Sequence, residues 1–241
     1  MTVLVVTGTG TGVGKTVVTS AIAALAIAAG RRVAVLKPAQ TGVDAGQPGD
    51  VDEVRRLVGP SVTCRELARF PDPLAPATAA RRAGLPPVTP LVVAATVREL
   101  ATSHDLVLVE GAGGLLVRFD DAGGTIADAA AALGAPVLVV TGAGLGTLNH
   151  TALTVEALRA RGLRCVGVVI GAWPAEPDLA AQCNLADLPS VTDLPLLGAL
   201  RAGAGNLTRA DFLRVARRGL TPGSSEHDVM GCGECTWVGG L

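Results

Sequence analysis

An apolar run, a glycine-rich loop and an alanine-rich run open the chain, and this order is typical of a phosphate-binding loop. Residues 3–7 predict a β-strand, residues 8–14 a loop, and residues 16–29 a helix. Glycines let backbone N–H groups point at phosphate oxygens, and the helix N-terminus adds partial positive charge. We therefore expect Lys15 to reach the terminal phosphates of a nucleotide and Thr16 to bind Mg²⁺ through its hydroxyl. The predicted nucleotide-binding residues of this segment are Gly12, Val13, Gly14, Lys15, Thr16 and Val17.

The glycine spacing of this loop departs from the common one. The common pattern places its first glycine five residues before Gly14, where this chain has Thr9, and Gly8 lies one residue earlier. The loop is therefore longer than usual or differently shaped. A loop that only turns the chain is the alternative, and Gly-Lys-Thr directly after an apolar strand favours nucleotide binding.

Apolar runs that predict strands alternate with runs that predict helices. The strand runs are nearly continuous, which is typical of strands that a parallel sheet buries on both faces. The pattern predicts an α/β fold with a single doubly wound, mostly parallel sheet and helices on both faces, and ligands at the carboxyl ends of the strands. Pro38 is expected to fix a turn after the second strand. The predicted strands are residues 3–7, 33–37, 106–110, 136–141, 166–170 and 194–200, and the helices are residues 16–29, 50–58, 91–100, 125–133, 147–161 and 208–217.

The composition is that of a globular chain, with 241 residues, 49% of them hydrophobic. We expect one nucleotide-binding domain over residues 1–220 and a Gly/Ser-rich tail, residues 221–241, that is poorly ordered. The net charge is −1 and no long basic run is present, which argues against nucleic acid as a partner. Residues 129–149 carry no charge and are long enough to resemble a membrane span, but glycines and Pro136 interrupt them. We therefore interpret them as buried core and expect no membrane partner.

Five cysteines are scattered along the chain, an odd number that fits a reducing cytosol better than a disulfide framework. The N-terminal apolar run follows no basic residues, so we interpret it as a strand and not as a targeting peptide. These two observations predict a cytoplasmic protein. Cys232 and Cys235 form one CxxC pair near His227, and a single pair is weak evidence for a metal or redox site.

Charged residues lie at the ends of two predicted strands and at the start of one helix. Lys37 ends the second strand and can hold an anionic substrate or developing phosphate charge; the alternative is a surface lysine with a buried stem. Glu110 ends the third strand and is interpreted as a Mg²⁺ ligand, with a helix cap or an ion pair with Arg118 as the alternative. Asp50 is either a further oxygen ligand beside Thr16 and Glu110 or an ordinary N-cap residue.

Four motifs occur together in this chain: the N-terminal loop, Lys37-Pro38-x-x-Thr41-Gly42, Glu110-Gly111-Ala112-Gly113-Gly114 and Gly144-Leu145-Gly146-Thr147-Leu148-Asn149-His150. In their order and spacing they resemble those of dethiobiotin synthetases. The resemblance covers residues 1–217, and a lengthened phosphate loop is itself a feature of that family. It implies a P-loop NTPase fold and a ligase of biotin synthesis that depends on ATP, or another nucleoside triphosphate, and on Mg²⁺.

The resemblance also implies a reaction and a set of site residues. The substrate 7,8-diaminopelargonate takes up CO₂ as a carbamate, ATP phosphorylates the carbamate, and the second amine closes a cyclic urea. Lys37 and Lys15 would be the catalytic residues, and Thr16, Asp50 and Glu110 would hold Mg²⁺. The further nucleotide-binding residues would be Gly111, Ala112, Gly113, Gly171, Ala172, Arg201, Ala202 and Gly203. The substrate would contact Thr11, Lys37 and Thr41, together with Leu145, Gly146, Thr147, Leu148 and Asn149 from the other subunit of a homodimer.

The chain departs from the family pattern at three places. Gly12 stands where many relatives carry an acidic side chain that grips the diamine. The residues that follow the strand 166–170 are Gly171-Ala172-Trp173-Pro174, where relatives use an asparagine to recognise the base, and Arg201-Ala202-Gly203 replaces a Pro-x-Gly turn. We therefore expect weak discrimination among nucleoside triphosphates.

Two other classes of protein share such a loop. An amidotransferase-type synthetase would need a glutaminase domain, for which 241 residues leave no room. A nucleotide-switch ATPase of the partitioning type would carry an early lysine in the loop, where this chain has Gly8-Thr9-Gly10. The sequence therefore favours the synthetase.

Overall fold

Strands and helices alternate through residues 2–220, which are the part of the chain that the computed structural model describes. The strands of this part are β1 (Thr2–Gly8), β2 (Val33–Thr41), β3 (Val62–Phe70), β4 (Leu106–Glu110), β5 (Val137–Thr141), β6 (Cys165–Trp173) and β7 (Leu196–Arg201). Its α-helices are α1 (Lys15–Ala28), α2 (Asp50–Val58), α3 (Pro76–Ala83), α4 (Pro90–Ala101), α5 (Ile126–Leu133), α6 (Thr147–Ala160), α7 (Leu179–Thr192) and α8 (Arg209–Leu220). The predicted tail and its CxxC pair lie outside the described residues.

The seven strands form one parallel sheet in the order β3-β2-β4-β1-β5-β6-β7. After β1 the chain crosses to β2 on one side, and after β4 it crosses to β5 on the other. The two connections leave in opposite directions between the neighbouring strands β1 and β4, which makes a crevice at their carboxyl ends. Val6 of β1 pairs with Glu110 of β4 at this edge. The register therefore brings Glu110 beside the end of the strand that feeds the phosphate loop.

Helices cover both faces of the sheet, and the side chains of β1 alternate between them. Leu4 and Val6 pack into a core with α1, α2 and α8, whereas Val5 packs into a second core with α4 and α5. All three side chains are fully buried, as expected of a strand covered on both faces. The predicted α/β architecture with a single doubly wound sheet is confirmed.

The sequence pattern missed β3, α3 and α7. The strand β3 lies at the edge of the sheet and carries Arg65, Glu66 and Arg69, so its apolar signal is weak. The helix α3 begins with Pro76 at its first turn, a position that proline tolerates. The helix α7 contains Pro189, a residue type that disfavours the interior of a helix.

The expectation that Pro38 fixes a turn is wrong, because β2 continues to Thr41. The last pair between β2 and β4 joins Leu36 to Val109, so beyond that point β2 has one neighbour, β3. Residue 38 is absent from the ladder with β3, which resumes at Ala39. Proline fits there because the strand requires no donor from it.

The stretch 129–149, expected to be core, forms the end of α5, all of β5 and the start of α6. No helix within residues 2–220 is both long enough and apolar enough to span a membrane. The cysteines of this part of the chain, Cys64, Cys165 and Cys183, are free thiols.

Candidate active site

The phosphate loop fits tightly against the end of β6. Gly14 has a left-handed backbone, with φ 95°, and a Cβ added to it would lie 2.6 Å from the carbonyl oxygen of Gly171. A Cβ added to Gly171 would lie 2.1 Å from the carbonyl oxygen of Val13. Two glycines that face each other therefore allow the loop to approach the sheet. Gly171, predicted to line the nucleotide site, supports the loop from behind.

Lys15, the first residue of α1, turns back into the loop. Its ammonium donates a hydrogen bond to the carbonyl oxygen of Gly10 at 2.8 Å, and the residue is 8% exposed. Burial, and then the nearby positive charge of Lys37, lower its pKa to about 8. Lys15 therefore loses its proton more easily than an ordinary lysine, and a bound phosphate would stabilise its charged form.

Lys37 is buried between two carboxylates that come from different elements. Its Nζ lies 2.5 Å from Oδ2 of Asp50 on α2 and 2.9 Å from Oε1 of Glu110 on β4, and it donates to the carbonyl oxygen of Gly111 at 3.2 Å. Burial alone would lower the pKa of Lys37, but the two carboxylates outweigh burial and raise it. Lys37 is therefore a fixed positive charge at neutral pH, and the reading as a surface lysine is wrong.

The three predicted Mg²⁺ ligands meet around Lys37. The hydroxyl of Thr16 donates to Oε1 of Glu110 at 2.8 Å, and Asp50 and Glu110 share the Lys37 ammonium. Within residues 2–220 no group of three or more His, Cys, Asp and Glu side chains could hold a metal ion. One hydroxyl and two carboxylates nevertheless match the oxygen ligands that Mg²⁺ takes when phosphates complete its shell.

The alternatives for the two carboxylates do not hold. The N-cap of α2 is Gly49, and Asp50 is the first residue inside the helix, so Asp50 is not an N-cap residue. The ion-pair partner of Glu110 is Lys37, and Glu110 is 2% exposed. Both carboxylates therefore point to the Lys37 cluster.

A cavity of about 700 Å³ opens at this edge of the sheet. Both lysines and both carboxylates lie close together in its wall, and Leu74 and Val117 add apolar surface to the lining. Thr11 and Thr41, predicted to contact substrate, lie in its wall. The full lining is Thr11, Gly12, Gly14, Lys15, Thr16, Val17, Lys37, Ala39, Gln40, Thr41, Asp50, Pro73, Leu74, Ala75, Pro76, Glu110, Ala112, Gly113 and Val117.

The sequence analysis missed Gln40, residues 73–76 and Val117 as parts of this wall. The proline-rich connection after β3 was a signal of a defined loop, but nothing in the sequence placed it at the cavity. The chain contains two lysines among its 20 basic residues, Lys15 and Lys37, and both line the cavity. This restriction of lysine to one place was a signal that sequence reasoning overlooked.

The other predicted site residues lie outside the cavity wall. Ala172 and residues 201–203 are exposed at the ends of β6 and β7, where the N–H of Ala202 donates to the carbonyl oxygen of Trp173 at 2.6 Å. Residues 145–149 lie before and within the first turn of α6, with Leu145 95% exposed. The 145–149 segment therefore forms no part of the cavity wall of this chain. Leu145, Gly146 and Asn149 are exposed, whereas Thr147 is buried and Leu148 is half-buried.

Four threonines connect the phosphate loop to this segment. The Thr141 hydroxyl lies 3.2 Å from that of Thr9, 2.6 Å from that of Thr147 and 2.8 Å from that of Thr151. Thr147 also donates to the carbonyl oxygen of Gly142 at 2.8 Å, and Thr151 donates to that of Thr147 at 2.6 Å. The start of α6 is thus fixed to the end of β5 and to the phosphate loop.

Comparisons with known proteins show the family of the chain. A family model described as an AAA domain matches residues 2–203. An ATP-dependent dethiobiotin synthetase from Saccharopolyspora erythraea is 68% identical over 222 residues, which cover 92% of this chain and 96% of that protein. One from Streptomyces coelicolor is 63% identical over 234 residues, which cover 96% of this chain and 98% of that protein. The chain belongs to the dethiobiotin synthetase family.

Membership confirms the family that the four motifs indicated, and with it the assignment as an ATP-dependent ligase of biotin synthesis. Solved structures with the same fold include septum site-determining protein MinD, complexed with Mg-ADP, from Pyrococcus horikoshii, with a TM-score of 0.55, 17% identity, and coverage of 92% of this chain and 90% of that one. A ParA family ATPase from Chlorobium tepidum has a TM-score of 0.57, 14% identity, and coverage of 92% of this chain and 94% of that one. At such identities the likeness concerns the fold alone.

The contact between Gly14 and Gly171 predicts the effect of one added methyl group. Gly171→Ala should displace the phosphate loop, lower the free energy of unfolding by about 1–3 kcal/mol and weaken nucleotide binding about tenfold or more. Chemical denaturation and calorimetric titration with ADP measure the two effects. Gly142→Ala is the matched control, because a Cβ at Gly142 meets no atom within 4 Å. Wild-type affinity in Gly171→Ala would contradict the tight fit.

The lowered pKa of Lys15 predicts how nucleotide binding depends on pH. Bound phosphate favours the charged ammonium, so binding should take up a proton above pH 8, and affinity should fall by up to about tenfold per pH unit there. Calorimetry in buffers of different ionisation enthalpy measures the proton uptake. NMR of labelled lysine side chains resolves both groups, because the chain has two lysines. A Lys15 signal that titrates above pH 10 in the free enzyme would contradict the prediction.

Proposed function

We propose that the chain closes the ureido ring of dethiobiotin from 7,8-diaminopelargonate, CO₂ and ATP, in the cytoplasm and through a domain that spans residues 1–220. The observation that carries the proposal is the Lys37 ammonium, buried in the cavity wall and shared by Asp50 and Glu110. A fixed cation beside a phosphate loop suits a reaction in which a carboxylate-like oxygen takes up a phosphoryl group.

The reaction has three steps. One amine of the diamine adds to CO₂ and loses a proton, which gives a carbamate. The carbamate oxygen takes the γ-phosphoryl group of ATP, and ADP leaves. The second amine then attacks the carbonyl carbon of this carbamic-phosphoric anhydride, which closes the ring and releases phosphate and a proton. Each step gains from holding the two partners in fixed positions.

The residues of the cavity have separate roles in this scheme. Lys37 stabilises the carbamate and the transferring phosphoryl group, and Lys15 exchanges its bond to the Gly10 carbonyl for the phosphates. Thr11 and Thr41 supply hydroxyls for the diamine or its carbamate. The apolar side chains of Leu74 and Val117 in the lining suit the methylene chain of the diamine.

The oxygen ligands of Thr16, Asp50 and Glu110 would hold Mg²⁺, which neutralises negative charge on the phosphates. Support for this site comes from the meeting of the three side chains around one cation, Lys37. A dication held by two carboxylates and a hydroxyl also explains why these carboxylates are buried or half-buried at the edge of an otherwise apolar sheet.

We also propose that the enzyme is a homodimer whose sites are shared. The segment 145–149 lies outside its own cavity, with Leu145, Gly146 and Asn149 exposed, and it opens α6, whose first N–H groups suit the carboxylate of the diamine. In a two-fold arrangement each segment would complete the cavity of the other subunit near Thr41. An ordinary strand-to-helix turn is the alternative.

Removal of the Lys37 charge tests the proposed activity. Lys37→Gln should lower the rate of dethiobiotin formation about 10²- to 10³-fold, because the cation that faces the carbamate and phosphoryl group is lost. Mass spectrometry of reactions with the diamine, bicarbonate, Mg²⁺ and ATP measures the product. Arg65→Gln, which removes an exposed cation paired with Glu99, is the control. A wild-type reaction that forms no dethiobiotin would overturn the proposal, and near-normal turnover in Lys37→Gln would remove Lys37 from it.

The metal site makes a separate prediction. Asp50→Ala and Glu110→Ala should each raise the Mg²⁺ concentration needed for half-maximal activity, because an oxygen ligand is lost. Asp178→Ala is the control, because Asp178 caps α7 through the N–H of Ala181 and should cost about 1 kcal/mol of stability without a change in Mg²⁺ dependence. An Asp50→Ala variant that behaves like Asp178→Ala would exclude Asp50 as a ligand.

Subunit mixing tests the shared site. Lys37→Gln subunits and subunits with Leu145→Ala and Asn149→Ala should both be inactive alone. A mixture should regain activity, because each heterodimer has one cavity with Lys37 and an intact facing segment. Subunit exchange is monitored by native mass spectrometry. Exchange without recovery of activity would show that each chain builds its site alone.

A further inference from the structure

Gln40 is a buried amide in the cavity wall between two residues of the proposed site. It is 5% exposed, and both ends of its side chain are hydrogen-bonded. Its Oε1 accepts from the backbone N–H of Asp50 at 2.9 Å, and its Nε2 donates to the carbonyl oxygen of Thr41 at 3.2 Å. One side chain on β2 therefore holds the first residue of α2 to the end of its own strand.

The start of α2 depends on acceptors that side chains supply, one of them from another element. The first N–H groups of any helix have no partner within it, and the N-cap here is Gly49, which has no side chain to offer. Asp52 accepts from the N–H of Gly49 at 2.9 Å, and Gln40 accepts from that of Asp50. Gln40 thus takes the place of a capping side chain, from a different element.

This bond determines where the Asp50 carboxylate lies. The side chain of Asp50 is 34% exposed and follows the exposed segment 44–48, so the residues before it in the chain do little to fix its position. Lys37 and Gln40 lie three residues apart on β2, a strand that is buried over residues 33–40. A rigid strand therefore supplies both the cation that Asp50 pairs with and the amide oxygen that fixes the Asp50 backbone.

We propose that Gln40 is a positioning residue that sets the Asp50 carboxylate against Lys37 and thereby prepares the Mg²⁺ site in the cavity wall. The part that concerns Mg²⁺ rests on the proposed function. Gln40 acts through Asp50 and takes no part in the reaction itself. Outer residues that orient a metal ligand typically change metal affinity 10- to 100-fold when they are replaced.

The test compares Gln40→Met, which keeps the length of the side chain without its hydrogen bonds, with Gln182→Met as a matched control. Gln182 lies on α7, away from the cavity wall, and its Nε2 donates to the carbonyl oxygen of Pro177, which precedes the helix. Calorimetry measures the Mg²⁺ concentration at which a non-hydrolysable ATP analogue reaches half of its full binding. Gln40→Met should raise that concentration about tenfold, and Gln182→Met should leave it within twofold of the wild type.

A double-mutant cycle separates positioning from general damage. If Gln40 acts through Asp50, Gln40→Met should have no further effect on Mg²⁺ dependence in an Asp50→Ala background. Equal, measurable effects in both backgrounds would overturn the proposal, whereas no effect in either would reject the part that concerns Mg²⁺. Thermal unfolding checks that each variant folds, and Gln40→Ala, which admits water to the vacated bonds, replaces Gln40→Met if that variant does not.

Crystal structures of the nucleotide-free variants distinguish a failure of this inference from a failure of the metal site. Gln40→Met should lengthen the distance from Lys37 Nζ to Asp50 Oδ2 beyond 4 Å, whereas Gln182→Met should keep the ion pair. An intact pair in Gln40→Met would overturn the positioning role. Unchanged Mg²⁺ dependence in Asp50→Ala, together with a lengthened pair in Gln40→Met, would reject the metal site and keep the positioning role.

Discussion

The buried ammonium of Lys37 is the charge on which the site depends. A buried charge is costly unless partners surround it, and Lys37 has two carboxylates and a carbonyl oxygen within hydrogen-bond reach. These partners come from α2, β4 and the turn after β4, so the cluster forms only when the sheet has brought these elements together. Removal of one partner would leave a buried charge uncompensated, which destabilises the folded state. The cluster therefore constrains the fold as well as taking part in the chemistry.

The parallel sheet makes this cluster accessible from one side. The carboxyl ends of β1, β2 and β4 lie next to one another, so the residues that follow them share one edge. Below this edge the strands are apolar and fully buried, and no charged side chain could stay there unpaired. On these three strands charge is therefore confined to Lys37 and Glu110, at the edge where phosphates are expected to bind, and the chain uses arginine for its other basic side chains.

Much of this arrangement could be predicted from the sequence, because local patterns carry it. The phosphate loop, the continuous apolar strands and the charged strand ends indicated the fold and brought Lys15, Lys37, Asp50 and Glu110 to one edge. What remained hidden depends on contacts between distant segments. Gln40 was expected in a turn after the second strand, and its contact with the start of α2 joins segments that no local pattern connects. Edge strand β3 was hidden by its charges, and α7 by its proline.

The hydroxyl hydrogens of the threonine cluster around Thr141 can be arranged in more than one way. Its five oxygen contacts involve four hydroxyl groups, and each hydroxyl has one hydrogen to give. At most four of the contacts are therefore hydrogen bonds at any moment. Thr147 can donate to the Gly142 carbonyl or to Thr141, and the heavy atoms stay where they are in both arrangements. The turn before α6 is thus held by bonds that can exchange through rotation of hydroxyl groups alone.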